Sequence, residues 1–255
     1  MMADELVGKL MDELKSSGLW DNSIVVLLSD HGENMWSPDL PYNFRGPNHG
    51  FHPYGDGQHQ VVLAIHFPDG EYQDQTIDAP VRLIDIAPTI SEFLNLGMSD
   101  FDGQSLMPLL QGEKETEPRL VYIETGLSEK NYWSKEHKNY PFKQISERYT
   151  VDIDSRRVHI KEKFLPFLIA AKDRSIQLGR WKLVWRPLKD GAKVELFDRI
   201  SDPENRVDVY HKNVPLAAHL GLKMRPFLEH DGVDTVLFDS WERLIEGEPI
   251  PDWWK

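Results

Sequence analysis

The 255-residue chain contains no cysteine. That excludes disulfides and any zinc or iron–sulfur site built on thiolates. It leaves the redox compartment open, since a cysteine-free chain suits either environment. Also missing is any apolar run near the ~20 residues that a membrane helix needs. The opening segment, Met1-Met2-Ala3-Asp4-Glu5, is acidic and amphipathic and lacks the features of a signal peptide, so a cytoplasmic location is the default expectation. Basic residues are in deficit: 29 Lys and Arg stand against 42 Asp and Glu, a formal net charge of −13. This balance argues against a nucleic-acid backbone as the main partner, because phosphate binding takes clustered Lys and Arg. A small anionic substrate stays open, because a bound metal ion sets its own local field.

What is present is a globular composition, 40% hydrophobic and 28% charged, long enough to bury a sizeable core. Residues 3–17 read as an amphipathic helix, with Leu6, Leu10 and Leu14 at four-residue spacing and Gly18 as the stop. Ile24 to Leu28 is a short, mostly β-branched apolar run, as expected of a strand covered on both faces. It ends in Ser29-Asp30-His31-Gly32-Glu33, and open α/β sheets bind ligands beyond the carboxyl ends of their strands. The polar stretch Asn34–Gln60 is long for a simple connection, which suggests function. Val61 to Phe67 is a second buried-strand candidate, and Asp85 is placed to cap a helix running to about Leu94. Composition shifts at 111–118. Residues 174–186 and 194–198 read as a hairpin turning at Lys189-Asp190-Gly191, and Pro215–Leu228 as a weak helix.

Asp30 and His31 carry the sharpest chemical signal. A carboxylate and an imidazole at adjacent positions both reach one cation if the backbone turns sharply, and Gly32 permits that turn. The bland alternative is a solvated Asp-His-Gly turn at a strand end, and three residues alone do not choose between the two. The basic run Arg156, Arg157, Lys161, Lys163 reads as solvated surface. Tyr132, Trp133, Tyr140 and Phe142 suit either a substrate cleft or local packing. Trp253-Trp254 suits a docking anchor or a tail packed on its own domain.

The run Asp21 to Glu33 resembles the sulfatase branch of the alkaline-phosphatase superfamily, and five later segments are similar to it in order. They are His49-Gly50 with Tyr54 and Val61–Ile65; Leu83-Ile84-Asp85-Ile86-Ala87-Pro88-Thr89-Ile90; Asp102 to Leu110; Gly179-Arg180-Trp181-Lys182-Leu183-Val184; and Glu195-Leu196-Phe197-Asp198 with Asp202-Pro203-Glu204-Asn205. The resemblance implies an α/β fold: part of an alkaline-phosphatase-like α/β/α sandwich followed by a small C-terminal antiparallel-sheet subdomain. The boundaries it suggests are 1–112 for the catalytic α/β part, 113–173 for an insertion or linker, and 174–255 for the subdomain. It implies Asp30 and His31 as ligands of a divalent cation. Calcium is the family's usual ion, and manganese or zinc are alternatives because His31 softens the site. It implies His49 as the residue that contacts the sulfate or protonates the leaving oxygen, and His59 as a substrate-side or supporting residue. Glu33 either orients His31 or ends the loop, and His66 reads as structural.

The family's nucleophile, a formylglycine, lies in an N-terminal segment of the form Cys/Ser-x-Pro-Ser/Ala-x-Arg. No such motif occurs here, and no Asp-Asp pair opens the chain. Ester cleavage by this route needs a nucleophile, a charge-neutralising cation and a leaving-group acid. The expectation is therefore a sulfuric ester hydrolase fragment, inactive alone: either a truncated gene product or one half of a split enzyme, with a separate chain supplying the N-terminal half. Its substrate would be a small sulfated or phosphorylated ester. The alternatives are a phosphate or phosphonate ester hydrolase or phosphoglycerol transferase of the same superfamily, or a non-catalytic partner-binding module.

Overall fold

The computed structural model describes residues 2–34, 49–50, 52–115, 117–126, 145–188, 191–233 and 236–247. Tyr132, Trp133, Tyr140, Phe142, Lys189, Asp190, Trp253 and Trp254 lie outside them. The chain divides into two units, residues 1–32 with 59–118, and residues 33–58 with 119–255. No helix among the described residues is long and apolar enough to cross a membrane.

The first unit opens with α1 (Met2–Ser16). Asp4 and Glu5 in its first turn and Lys15 in its last complement the helix dipole. Gly18, at φ 73°, takes the left-handed conformation that ends it. Strands β1 (Val25–Leu28) and β2 (Leu63–His66) pair antiparallel, with Val25 opposite His66 and Leu28 opposite Leu63. The expectation of a strand covered on both faces is not met: Val25 to Leu27 are half-buried and Leu28 is exposed. A two-stranded ribbon gives each strand one neighbour, too little to enclose it. His66 stacks on Trp20 at 4.0 Å and bonds the Trp20 carbonyl at 3.0 Å, a structural position.

Two sequence motifs of this unit lock onto each other. Helix α2 (Ile86–Phe93) follows a 3₁₀ turn at Leu83–Asp85. The carboxylate of Asp85 is fully buried and does not cap α2. It accepts from the Arg82 N–H at 2.9 Å, pairs with the Arg82 guanidinium at 2.7 Å, and accepts from the Gln104 N–H at 2.9 Å. Burial raises the carboxyl's proton affinity, but the Arg82 and Gln104 bonds outweigh it and hold the pKa below the usual carboxylate range. The Thr89 hydroxyl donates to the Asp85 carbonyl at 2.6 Å and accepts from the Leu106 N–H at 2.8 Å, just ahead of α3 (Met107–Leu110). A Cβ on Gly103 would lie 1.9 Å from the Ile84 carbonyl oxygen, so only glycine allows this approach.

The second unit holds β3 (Val121–Glu124), a separate hairpin of β4 (Tyr149–Asp152) and β5 (Arg157–Ile160), α4 (Leu165–Ala170), β6 (Arg174–Leu178), β7 (Trp181–Leu188) and β8 (Gly191–Asp198). An antiparallel sheet runs in the order β3-β6-β7-β8. Residues 174–186, expected as one strand, are two. Gly179, at φ 56°, turns the chain between β6 and β7. Helices α5 (Val214–His230) and α6 (Val236–Ile245) complete the unit.

Alternation in the strands sorts this sheet's two faces. Ile176, Leu183, Trp185 and Leu196 enter the main core with Leu220, Met224 and Leu228 of α5 and Phe238 and Trp241 of α6. Phe238 lies between two indoles, stacked on Trp185 at 5.2 Å and edge-on to Trp241 at 5.1 Å. Gly221 makes room for α6, since a Cβ there would sit 1.9 Å from the Trp241 ring. The intervening residues Lys182, Val184, Glu195 and Phe197 are also buried, and Val184 and Phe197 cluster with Tyr54. That second face is covered by residues 52–58.

Candidate active site

In the first unit β1 delivers Ser29 and then Asp30-His31-Gly32. The Ser29 hydroxyl accepts from the Val62 N–H at 3.0 Å, and its own N–H donates to the Val62 carbonyl at 3.1 Å, which tethers the strand's end. The His31 N–H donates to Asp30 Oδ1 at 3.0 Å. His31 Nδ1 lies 2.6 Å from the Gly32 carbonyl, a contact that puts the ring proton on Nδ1. Nε2 is then the lone-pair nitrogen, and it lies 3.8 Å from Asp30 Oδ1. A carbonyl holding the other ring nitrogen is the usual support of a metal-bound histidine. The pair fits a divalent cation as part of a ligand set. It is not a complete set: among the described residues no group of three or more His, Cys, Asp or Glu converges in a way that would hold a metal.

In the second unit the His49 imidazole contacts Glu33. Nδ1 lies 3.1 Å from Glu33 Oε2, a contact in which Nδ1–H donates to the carboxylate. Glu33 thus serves His49, a role the sequence did not suggest. His59 lies in the first unit, half-buried ahead of β2.

Residues 52–58 carry a further histidine. His52 is buried, and its Nδ1 accepts from the Tyr54 N–H at 3.1 Å. Its Nε2 faces the Asn34 amide at 3.0 Å. Burial, with the charges of Lys182 and Arg186, pushes its pKa down to about 3, so His52 is neutral across the physiological range. Gln58 closes the segment. Its carbonyl oxygen accepts from the Gly50 N–H at 2.9 Å, and its amide nitrogen reaches the His52 and Tyr54 carbonyls.

The sheet holds this segment with polar side chains. Lys182, fully buried, donates to the Gly55 carbonyl at 2.9 Å, and the Asn205 side-chain oxygen accepts from the Gly55 N–H at 2.8 Å. Arg199 grips Asp56 through two nitrogens, at 2.9 and 3.3 Å. The Tyr54 hydroxyl donates to Glu195 and accepts from Arg186 at 2.7 Å; burial and the Glu195 charge push the phenol's pKa up. A polar cavity of about 180 Å³ opens beside it, lined in part by Arg186, Lys193, Arg206 and Asp208. Ser201 to Arg206 shares Ser, Pro and Arg with the family's nucleophile motif but has Glu204 at the small position. Its Asp202 and Asn205 are engaged in turn bonds to Val207 and to each other.

The signal for the sheet's role was present but ambiguous. Trp181-Lys182-Leu183-Val184-Trp185-Arg186 alternates as a half-buried strand should, which assigns Lys182 to a solvated face. Only the tertiary fold shows that face covered.

The family model described as Sulfatase matches residues 1–96. The endo-4-O-sulfatase of Bacteroides thetaiotaomicron is 29% identical over 174 residues, 64% of this chain and 32% of its own length. A crystal structure from work on metabolism of multiple glycosaminoglycans by the same organism superposes with a TM-score of 0.58 at 21% identity, covering 97% of this chain and 44% of that one. The phosphonate monoester hydrolase of Agrobacterium radiobacter superposes with a TM-score of 0.54 at 21% identity, covering 88% of this chain and 38% of that one. The chain spans roughly a quarter of the length of the first curated relatives it matches, from 22% to 32%. Residues 1–96 thus match the sulfatase family model, and the mixed α/β elements and antiparallel sheets of the chain are similar in fold to solved sulfatases of the alkaline-phosphatase-like fold.

Proposed function

We propose that the complete protein hydrolyses a sulfate ester, with this chain supplying part of a divalent-cation site and the histidine that works at the leaving oxygen. The observation that carries this reading is the Asp30–His31 pair, with its 3.8 Å separation, inside the segment that matches the sulfatase family. Asp30 and His31 would hold the cation, which neutralises charge on the ester oxygens when bound. Calcium is the first expectation, and manganese or zinc suit the imidazole. His49, oriented by Glu33, gives its Nε2 proton to the leaving oxygen or holds the sulfate. His59 contributes to substrate binding or supports it. None of these residues is a nucleophile of the family type, so in this reading the nucleophile comes from outside the 255 residues, in a longer protein or on a separate chain.

The test is binding and turnover together. Manganese titrated into the chain and followed by electron paramagnetic resonance is expected to bind weakly, and Asp30→Ala to weaken it at least tenfold. The chain alone is expected not to turn over an aryl sulfate. Unchanged manganese binding in Asp30→Ala would refute the cation site, and turnover by the chain alone would refute the external nucleophile. The likeness to a phosphonate monoester hydrolase favours, as a second reading, a phosphate or phosphonate monoester at the same residues. Comparing sulfate and phosphonate esters on the completed protein separates the two.

A further inference from the structure

We propose that the β6-β7-β8 sheet positions the His49 segment, through Asn205, Lys182 and Arg199 acting on the backbone and side chain of Gly55 and Asp56. Both peptide groups of Gly55 are taken by side chains of the second unit: the N–H by Asn205 at 2.8 Å and the C=O by Lys182 at 2.9 Å. Gly55 sits at φ 68° and belongs to no strand, so its peptide groups depend on these partners. The next residue, Asp56, is held in a two-pronged grip by Arg199.

The energetics argue for a purpose. Burying an ammonium is unfavourable unless it is paired and bonded, and an aliphatic side chain at Lys182 would avoid that penalty. Here the ammonium is fully buried, 3.8 Å from Asp56 and bonded to one backbone carbonyl. A packing role alone would not select such a residue. The grip reaches His49 by a short bonded route. Gln58, two residues past Asp56, bonds the Gly50 N–H, and Gly50 adjoins His49. Glu33 then fixes the imidazole from the other side at 3.1 Å. Asn205, Lys182 and Arg199 are positioning residues here, since none of them contacts the His49 ring.

The functional meaning of this grip rests on the reading of His49 given above, but its test needs no turnover. A failed hydrolase reading therefore leaves it standing, and its own failure leaves the hydrolase reading standing. Asn205→Gly deletes the acceptor while keeping the backbone at φ 54° easy, and Asn205→Asp restores an acceptor. Hydrogen exchange of the intact chain, followed by mass spectrometry, reads residues 52–58 against β6 and β7 as an internal control. The His49 ring resonances are followed by NMR. In Asn205→Gly the 52–58 amides are expected to exchange at least tenfold faster, with β6 and β7 unchanged and the His49 resonances shifted. Asn205→Asp is expected to restore both. If Asn205→Gly instead loosens the whole sheet, Arg199→Gln supplies the same comparison at a half-buried pair, with an expected threefold effect. Unchanged exchange at 52–58, or loosened exchange with His49 resonances unmoved, or no rescue by Asn205→Asp, would each overturn the proposal.

Discussion

The two units are held together by different means. The second is built round a core: two of its helices and the strands of one sheet meet in a buried cluster that includes Trp185, Met224, Phe238 and Trp241. In the first, the buried apolar side chains among the described residues are Phe67, Pro88, Leu106 and Met107, while Leu6, Leu10, Leu28, Val62 and Met98 are exposed. Its order comes instead from hydrogen bonds, with Asp85 and Thr89 tying one motif to the next. Hydrogen bonds contribute about 1 kcal/mol each, whereas a buried large side chain contributes about 2 to 3 kcal/mol. A unit that buries little must therefore be defined by a few specific bonds, and its exposed apolar residues are replaceable one at a time.

The sharpest way to break this contrast is to damage the core. Gly221→Ala is expected to destabilise the second unit by about 3 kcal/mol or more, since the new Cβ would meet the Trp241 ring at 1.9 Å and α6 would have to move. Urea unfolding followed by tryptophan fluorescence reads the loss; an unchanged midpoint would show that α6 is not seated as described. Next in size is an effect of alkaline pH. Burial holds the Lys182 ammonium's pKa down to about 7 from an ordinary 10.5, against the pull of Asp56. The unfolded chain then binds more protons than the folded one between those values, so stability rises with pH across that window and is lost as pH falls back toward 7. Between pH 7 and 9 the gain is expected to be about 2 kcal/mol, and Lys182→Met should abolish it. The smallest effect belongs to the first unit. Leu10→Lys, on the exposed side of α1, is expected to change its stability by less than about 0.5 kcal/mol, and a hydrogen-exchange loss well beyond that would mean that α1 packs where it is exposed.

Much of the scaffold was legible because its signals are local. The four-residue spacing of Leu6, Leu10 and Leu14 marks α1, and the β-branched run ending at Leu28 marks β1. The partners of those elements were not legible. Nothing in residues 24–28 says that the neighbour is antiparallel or that one side stays half open. The break at Gly179 hides inside a continuous β-like pattern, and α6 falls in a stretch with no motif to announce it. In the site, Asp30 and His31 are adjacent in sequence and so were visible together. His49 and Glu33 are 16 residues apart, and Lys182 and Gly55 are 127 apart. Contacts of that span leave no periodicity, and a lysine in an alternating strand looks the same whether its face meets water or a glycine carbonyl. His52 gives no signal for the same reason: its burial depends on Asn34 and Gln58, which meet it only in the folded chain.

The capture of Gly55 also sets an order of events during synthesis. Its two partners are encoded 127 and 150 residues downstream. At ordinary elongation rates the segment round His49 leaves the ribosome roughly 8–30 s before Asn205 does. Through that interval the strand-like stretches on either side can form local structure, but Gly55 has only water to satisfy its peptide groups. Residues 52–58 therefore reach their final geometry late, when β7 and β8 have paired, and the histidine they steady is ready only once Asn205 has been made.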